Sequence, residues 1–199
     1  MDWIDGTIPN PLAAPLHSAN LDLGCGPFWT RSALLADVRA RLADGTGFSI
    51  ATLNLDHVVK LRSDAAFRSA YASQTHVTAD GNPIVWLEKI AGRPAELVPG
   101  SELVLPLARL AADLDRPIAL VGTTAASLDG AASALERVVP GVRIVGRFAP
   151  PMDFDPTSGA SAEIVDKLRR SGARLALVAL GAPKQERFAA LLDAFARGE

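Results

Sequence analysis

The sequence predicts an α/β fold: a Rossmann-like, mostly parallel sheet with helices on both faces, in a single domain. Three observations carry this. Short apolar runs alternate about six times with segments of helical periodicity, a pattern that gives parallel strands joined by crossover helices. Two of the runs, residues 118–121 and 175–180, are continuously apolar, as strands covered on both faces require. The runs also end in turns that carry glycine or polar side chains, at Thr52 and Asn54, Asp80, Gly122 and residues 181–186. Right-handed crossovers bring all such ends to one edge of the sheet.

In chain order, residues 1–19 hold three prolines and little periodicity and read as an irregular arm. The domain proper spans 20–199. A short strand at 21–23 ends in Gly24-Cys25-Gly26-Pro27, and Leu34, Leu35, Val38 and Leu42 follow on one helical face. A strand over 48–53 comes next. Ser63-Asp64 restarts a helix that buries Phe67 and Tyr71. The strand over 75–79 delivers Asp80 to a turn made by Gly81, and Pro83 suits the first turn of the helix that follows. Pro106 interrupts the apolar pattern of 103–114, so that helix is expected to start near Leu105, after a loop at Pro99-Gly100-Ser101. Thr123 or Thr124 caps the helix after the 118–121 strand. A strand over 142–145, a proline-rich loop over 147–155, a helix at Ile164, Val165 and Leu168, the 175–180 strand and a final helix with Phe188, Leu191, Leu192 and Phe195 complete the domain.

Composition narrows the function. The chain has 199 residues, 49% hydrophobic and 21% charged, with a formal net charge of −2. Nothing in that balance suggests a nucleic-acid partner bound through phosphate neutralisation. Cys25 is the sole cysteine, which excludes an internal disulfide and a Cys-based zinc cluster and suits a reducing compartment. No apolar run approaches the ~20 residues that span a bilayer, and the acidic start Met1-Asp2-Trp3-Ile4-Asp5 does not resemble a signal peptide. The expected location is cytoplasmic, with peripheral membrane contact open.

Several residues stand where chemistry is expected. Asp80 is a lone carboxylate at a strand end, where open α/β sheets place their ligands; the bland alternative is a cap for the next helix. Thr52 and Asn54 alternate on one side of a strand end and either donate to a phosphate or sugar, or satisfy backbone groups in the turn. Lys184, Gln185 and Glu186 open a helix behind Gly181 and Pro183, where free N–H groups and the helix dipole favour an anion such as a diphosphate. Lys184 runs against that dipole, which points to a ligand-side role. His57 reads as structural, and no His/Glu zinc-ligand spacing is present. Leu21-Asp22-Leu23-Gly24-Cys25-Gly26 is similar to the glycine-rich motif of S-adenosylmethionine-dependent methyltransferases. It has Phe28 where that family has a further glycine, and no acid ends its second strand.

Four stretches in order carry a stronger resemblance: Thr52-Leu53-Asn54 with Asp56-His57-Val58; Ala79-Asp80-Gly81-Asn82-Pro83 with Val85-Trp86; Leu120-Val121-Gly122; and Val178 through Gly181-Ala182-Pro183-Lys184-Gln185-Glu186. Over about residues 20–197 the chain resembles the WecG/TagA/CpsF glycosyltransferases, glycosyltransferase family twenty-six. Phe148-Ala149-Pro150-Pro151 is similar to exopolysaccharide-pathway members. The resemblance implies inverting, metal-independent transfer of N-acetylmannosamine, glucuronic acid or a related hexose from a UDP-sugar. The acceptor is a polyprenyl-diphosphate-linked saccharide of the cell envelope, met at the inner face of the plasma membrane. It implies Asp80 as general base, Thr52 and Asn54 at the sugar, Gln185 facing the donor, and Gly122 and Gly181 where backbone meets nucleotide. Asn82, Lys184 and Glu186 complete the expected substrate-binding set. No cofactor is implied, and a homo-oligomer is compatible with the sequence. Family members continue with a basic, membrane-associating appendage, whereas this sequence stops at Arg197-Gly198-Glu199, so slow turnover is an expectation too. The alternatives are a methyltransferase using the Leu21 to Gly26 motif and a non-catalytic nucleotide-sugar-binding member.

Overall fold

The computed structural model describes residues 27–122, 124–151 and 153–197. The strand expected at 21–23 and the glycine motif after it lie outside them. Along the chain the elements are α1 (Arg31–Asp44), β1 (Ile50–Leu53), α2 (Leu55–Ser63), α3 (Ala65–Ala72), β2 (His76–Ala79), α4 (Asn82–Ile90), α5 (Gly100–Asp113), β3 (Ile118–Gly122), α6 (Ala125–Val138), β4 (Ile144–Phe148), α7 (Gly159–Ser171), β5 (Leu175–Ala179) and α8 (Lys184–Arg197).

Local chemistry sets many of these boundaries. Thr30, Asn54, Asp64 and Thr124 each stand in extended backbone and accept a bond from an N–H in the first turn of α1, α2, α3 and α6, the arrangement that satisfies otherwise orphaned helix donors. Gly45 and Gly172 close α1 and α7 in the left-handed conformation, which costs glycine little.

All strand pairings are parallel, but among the described residues they form two sheets, β1-β2 and β4-β3-β5. The two belong to one layer. Ile118 and Leu120 of β3 sit in one cluster with residues of α1, α5 and α6, and Ile50 of β1 and Leu177 of β5 pack onto it. On the opposite face, α7 and α8 cover Ala119 and Val121 through Val165, Leu168 and Phe188. There α2 and α3 cover Ala51, Leu53 and Val77 through Leu61, Phe67 and Tyr71. Successive residues of a strand face opposite ways, so each sheet feeds a cluster on either face. The sheets also run in the same sense. The Arg116 guanidinium, at the start of β3, donates to the Leu42 and Ala43 carbonyls before β1, each at 2.9 Å. At the other end Lys60 of α2 donates to the Ala182 carbonyl beyond β5 at 3.4 Å.

Two expectations require correction. The helix over 103–114 begins at Gly100, five residues before the start expected from Pro106. Pro106 removes one bond of the ladder, yet Leu103 is buried beside Leu107, Ala108 and Ala111 on one face, and that burial holds the first turn in place. The strand expected over 142–145 is instead β4 (Ile144–Phe148), whose last residues fall where a loop was expected. Its half-buried residues alternate with exposed ones, as on a sheet edge.

Candidate functional site

β2 ends at Ala79, and the next residue, Asp80, is fixed by a 2.8 Å bond from its N–H to the Leu53 carbonyl of β1. Gly81 follows at φ 108°, ψ 140°, a conformation closed to side-chain-bearing residues without strain. That turn carries the Asp80 side chain away from α4. The α4 N-cap is Gly81 and has no side-chain capping bond, so capping of the following helix is not what Asp80 does. Its Oδ2 instead accepts the Gly100 N–H, at the start of α5, at 3.4 Å. Gly100 packs on Thr52: a Cβ there would lie 3.1 Å from Thr52 Cγ2 and 3.4 Å from Thr52 Oγ1.

Asp80, Thr52, Gly100, Ser101, Gln185 and Glu186 line one cavity of about 1410 Å³. It therefore collects the ends of β1 and β2 and the N-termini of α5 and α8. Both helices are 14 residues long, and the positive ends of their dipoles favour a negatively charged ligand group. Glu186 is only 3% exposed. Its Oε1 accepts from Gln185 Nε2 at 2.8 Å, while its Oε2 is buried without a partner, as is Gln74 Oε1.

Of the residues expected at the site, the cavity brings together Thr52, Asp80, Gln185 and Glu186. Asn54, Asn82, Gly122, Gly181 and Lys184 are not among its lining residues. Asn54 Oδ1 caps α2 by accepting the His57 N–H at 2.9 Å. Asn82 is exposed at the start of α4. A Cβ on Gly122 would come 3.0 Å from Leu128 Cδ2 and 3.6 Å from the Ala179 Cβ, so this glycine admits α6 and β5 close to β3. Gly181 has φ 72° and an open surrounding; its carbonyl accepts the Gln185 N–H at 3.1 Å, with a cis peptide between them at Ala182-Pro183. Lys184 is half-buried in the first turn of α8. The sequence reading missed Gly100 and Ser101. The signal was there, in a Pro-Gly-Ser segment leading into an amphipathic run, but Pro106 hid it.

His57 and His76 are structural. The His57 ring Nδ1 lies 3.0 Å from the Thr52 carbonyl and 2.7 Å from the Tyr71 hydroxyl, which itself donates to that carbonyl at 2.7 Å. Fully buried His76 holds Asp37 Oδ2 through Nε2 at 2.7 Å. Hydrogen bonds from Arg41, then His76, hold the Asp37 carboxyl below its ordinary range. The Asp64 carboxyl is likewise lowered, first by the Phe67 backbone N–H and, against a desolvation penalty, by Arg187. Arg187 meets Asp64 Oδ2 at 2.5 Å and pins α8 to α3. Among the described residues no His/Cys/Asp/Glu cluster has the grouping to hold a metal ion.

Parallel strands in a three-layer arrangement, with a strand-end carboxylate set between two helix N-termini, define a Rossmann-like α/β protein with its site at the C-terminal edge of the sheet. Residues 27–195 match the family model described as Glycosyl transferase WecG/TagA/CpsF family, and the chain belongs to that family. No curated protein matches the chain. The protein is thus a glycosyltransferase of cell-surface polysaccharide biosynthesis, an enzyme that uses a nucleotide-sugar donor and a lipid-linked acceptor.

Proposed function

We propose that this enzyme moves a hexose, N-acetylmannosamine, glucuronic acid or a relative, from a UDP-sugar to a polyprenyl-diphosphate-linked saccharide, with inversion and without a metal. The observation that carries the reading is the Asp80 carboxylate, held at a strand end and aimed at a cavity that two helix N-termini share. In an inverting transfer the acceptor hydroxyl attacks the anomeric carbon from the face opposite UDP. The new glycosidic bond forms as the bond to UDP breaks, and the hydroxyl proton passes to a base. Asp80 is that base. The Gly100 N–H fixes its direction. Charge growing on the departing diphosphate meets the N-terminus of α8, where Gln185 and Lys184 stand, and positive helix ends stabilise such charge without reorganising. Thr52 orients the sugar from the floor of the cavity.

The acceptor's lipid places the reaction at a membrane surface. Among the described residues no helix is long and apolar enough to cross a membrane, and contact at the inner face of the plasma membrane would be peripheral. Trp86 and Ile90, 61% and 72% exposed on the helix that begins beside Asp80, support this, because an exposed Trp suits the bilayer interface.

The test is calorimetry of UDP and a panel of UDP-sugars, with EDTA present, on wild type and Asp80→Asn, followed by turnover on a polyprenyl-diphosphate acceptor. The expected result is donor binding by both proteins and product from wild type alone. Binding of S-adenosylmethionine with no response to any UDP compound would overturn the reading, and turnover by Asp80→Asn at the wild-type rate would remove the base.

A further inference from the structure

Among the described residues β1 has a strand partner on one side only, β2. Its Leu53 carbonyl faces that partner and accepts the Asp80 N–H at 2.8 Å. Successive residues of a strand turn their backbone groups to opposite sides, so the Thr52 carbonyl turns away from β2. What meets it there is a side chain: the Tyr71 hydroxyl of α3 donates to it at 2.7 Å.

His57 fixes the direction of that bond. Its Nδ1 lies 3.0 Å from the Thr52 carbonyl and 2.7 Å from the Tyr71 oxygen. A carbonyl only accepts, so Nδ1 carries a hydrogen and donates into this pair. The Tyr71 oxygen, met by that donor, has its own hydrogen left to give to Thr52. Phe67 meets both rings edge-on, with centroids 5.8 Å from His57 and 5.1 Å from Tyr71. Phe67 and Tyr71 are fully buried and His57 is 5% exposed, so water does not compete for the bond.

Both contacts that place Asp80 lead back to this point. Its amide hangs on the Leu53 carbonyl, one residue beyond the carbonyl that Tyr71 holds. Its carboxylate takes the N–H of Gly100, and Gly100 packs on the Thr52 side chain. We infer that the Tyr71 hydroxyl is a positioning group for the transfer reaction: through the Thr52 carbonyl it sets the end of β1, and through β1 the place of Asp80. Its effect on rate rests on the reading of Asp80 as the base, whereas the link to the Asp80 backbone rests on the bonds alone.

The test is Tyr71→Phe, which keeps the ring against Phe67 and removes only the hydroxyl. Native-state hydrogen exchange then compares two amides of the β1–β2 ladder, Asp80 on Leu53 and His76 on Ser49. Loosening the end of β1 should speed exchange at Asp80 by about tenfold more than at His76. A tyrosine that only stabilises the fold would speed both equally, and that result overturns the inference. Turnover per folded molecule should fall by about tenfold with KM for the UDP-sugar within about threefold of wild type, because a small misplacement of a reacting group costs rate. His57→Phe should move both readouts the same way. The two substitutions together should cost less than the product of their separate effects, since one chain of bonds carries both. Turnover by Tyr71→Phe at the wild-type rate, with Asp80→Asn inactive, overturns the inference alone; if Asp80→Asn is equally active, the base reading falls as well. Wild type gives a check that needs no variant: the Asp80 amide, last in the ladder, should be protected to within about tenfold of His76. A frayed Asp80 amide also overturns the inference.

Discussion

Asp64 and Asp80 both stand immediately before a helical turn, and by sequence either is a helix cap. In the structure they part company. Asp64 accepts the Phe67 N–H at 2.8 Å in the first turn of its own helix and pairs with Arg187 across the α3–α8 contact. Asp80 makes no bond to the helix that follows; Gly81, at φ 108°, turns its carboxylate towards a distant helix start and an open cavity. Asp64 is held by donors from its own helix and from α8, whereas Asp80 is held by its backbone and one remote N–H.

The largest expected separation of the two acids is in activity. Asp80→Asn should lower turnover by about 10²- to 10⁴-fold, the usual contribution of a general base, with thermal stability near wild type. Initial rates and a melting curve on the same sample read both. A rate loss accompanied by a matching drop in melting temperature would place Asp80 with Asp64 as a structural acid.

Gly81→Ala tests the turn between them. Its backbone conformation is nearly exclusive to glycine, so a side chain costs on the order of 1–3 kcal/mol. Activity should fall further than stability explains, because the turn also aims Asp80. Denaturant unfolding with activity normalised to folded protein separates the two effects.

Asp64→Ala should do the reverse. Losing the cap costs about 1 kcal/mol, and the half-buried pair with Arg187 adds less than about 1 kcal/mol. For a chain of this size, 1 kcal/mol corresponds to roughly 2–4 °C. Turnover per folded molecule should be unchanged.

The smallest effect concerns pH. The carboxyls of Asp37 and Asp64 are lowered from the ordinary value of 3.8. A depressed folded-state pKa adds stability that is fully present above the unfolded value and is lost as pH falls through the folded one. Stability should therefore be flat above about pH 5 as far as these two groups decide it, and decline below about pH 4. Asp64→Asn should shallow that decline, while Asp80→Asn should not; melting temperatures across pH 2.5–6 would show it.

The apolar strands make a parallel case for what sequence can reveal. Ile118–Gly122 and Leu175–Ala179 are paired residue for residue and nearly alike in composition. The first is buried throughout because β4 and β5 flank it; the second is half-exposed along the cavity. The apolar run reported that both faces of β5 are covered by helices, but says nothing of whether its outer edge has a partner. For the same reason the sequence led to one continuous sheet where the described strands form two.

What the sequence determined by itself is local. Asp64 and one of the two threonines at 123–124 are read as helix starters because a cap needs only its own first turn, and Asp64 and Thr124 do cap α3 and α6. The alternation of elements, the parallel layer and the turn at Gly81 follow from short-range sterics and hydrophobic period in the same way. What only the tertiary structure decided is which groups meet. Gly100 reaches Asp80 although twenty positions separate them, because the burial of Leu103 overrides the interruption at Pro106. Glu186 is buried against the cavity, while Gly122 is spent on packing against Leu128. These are long-range contacts set by the helices that share a core, and no local pattern encodes them.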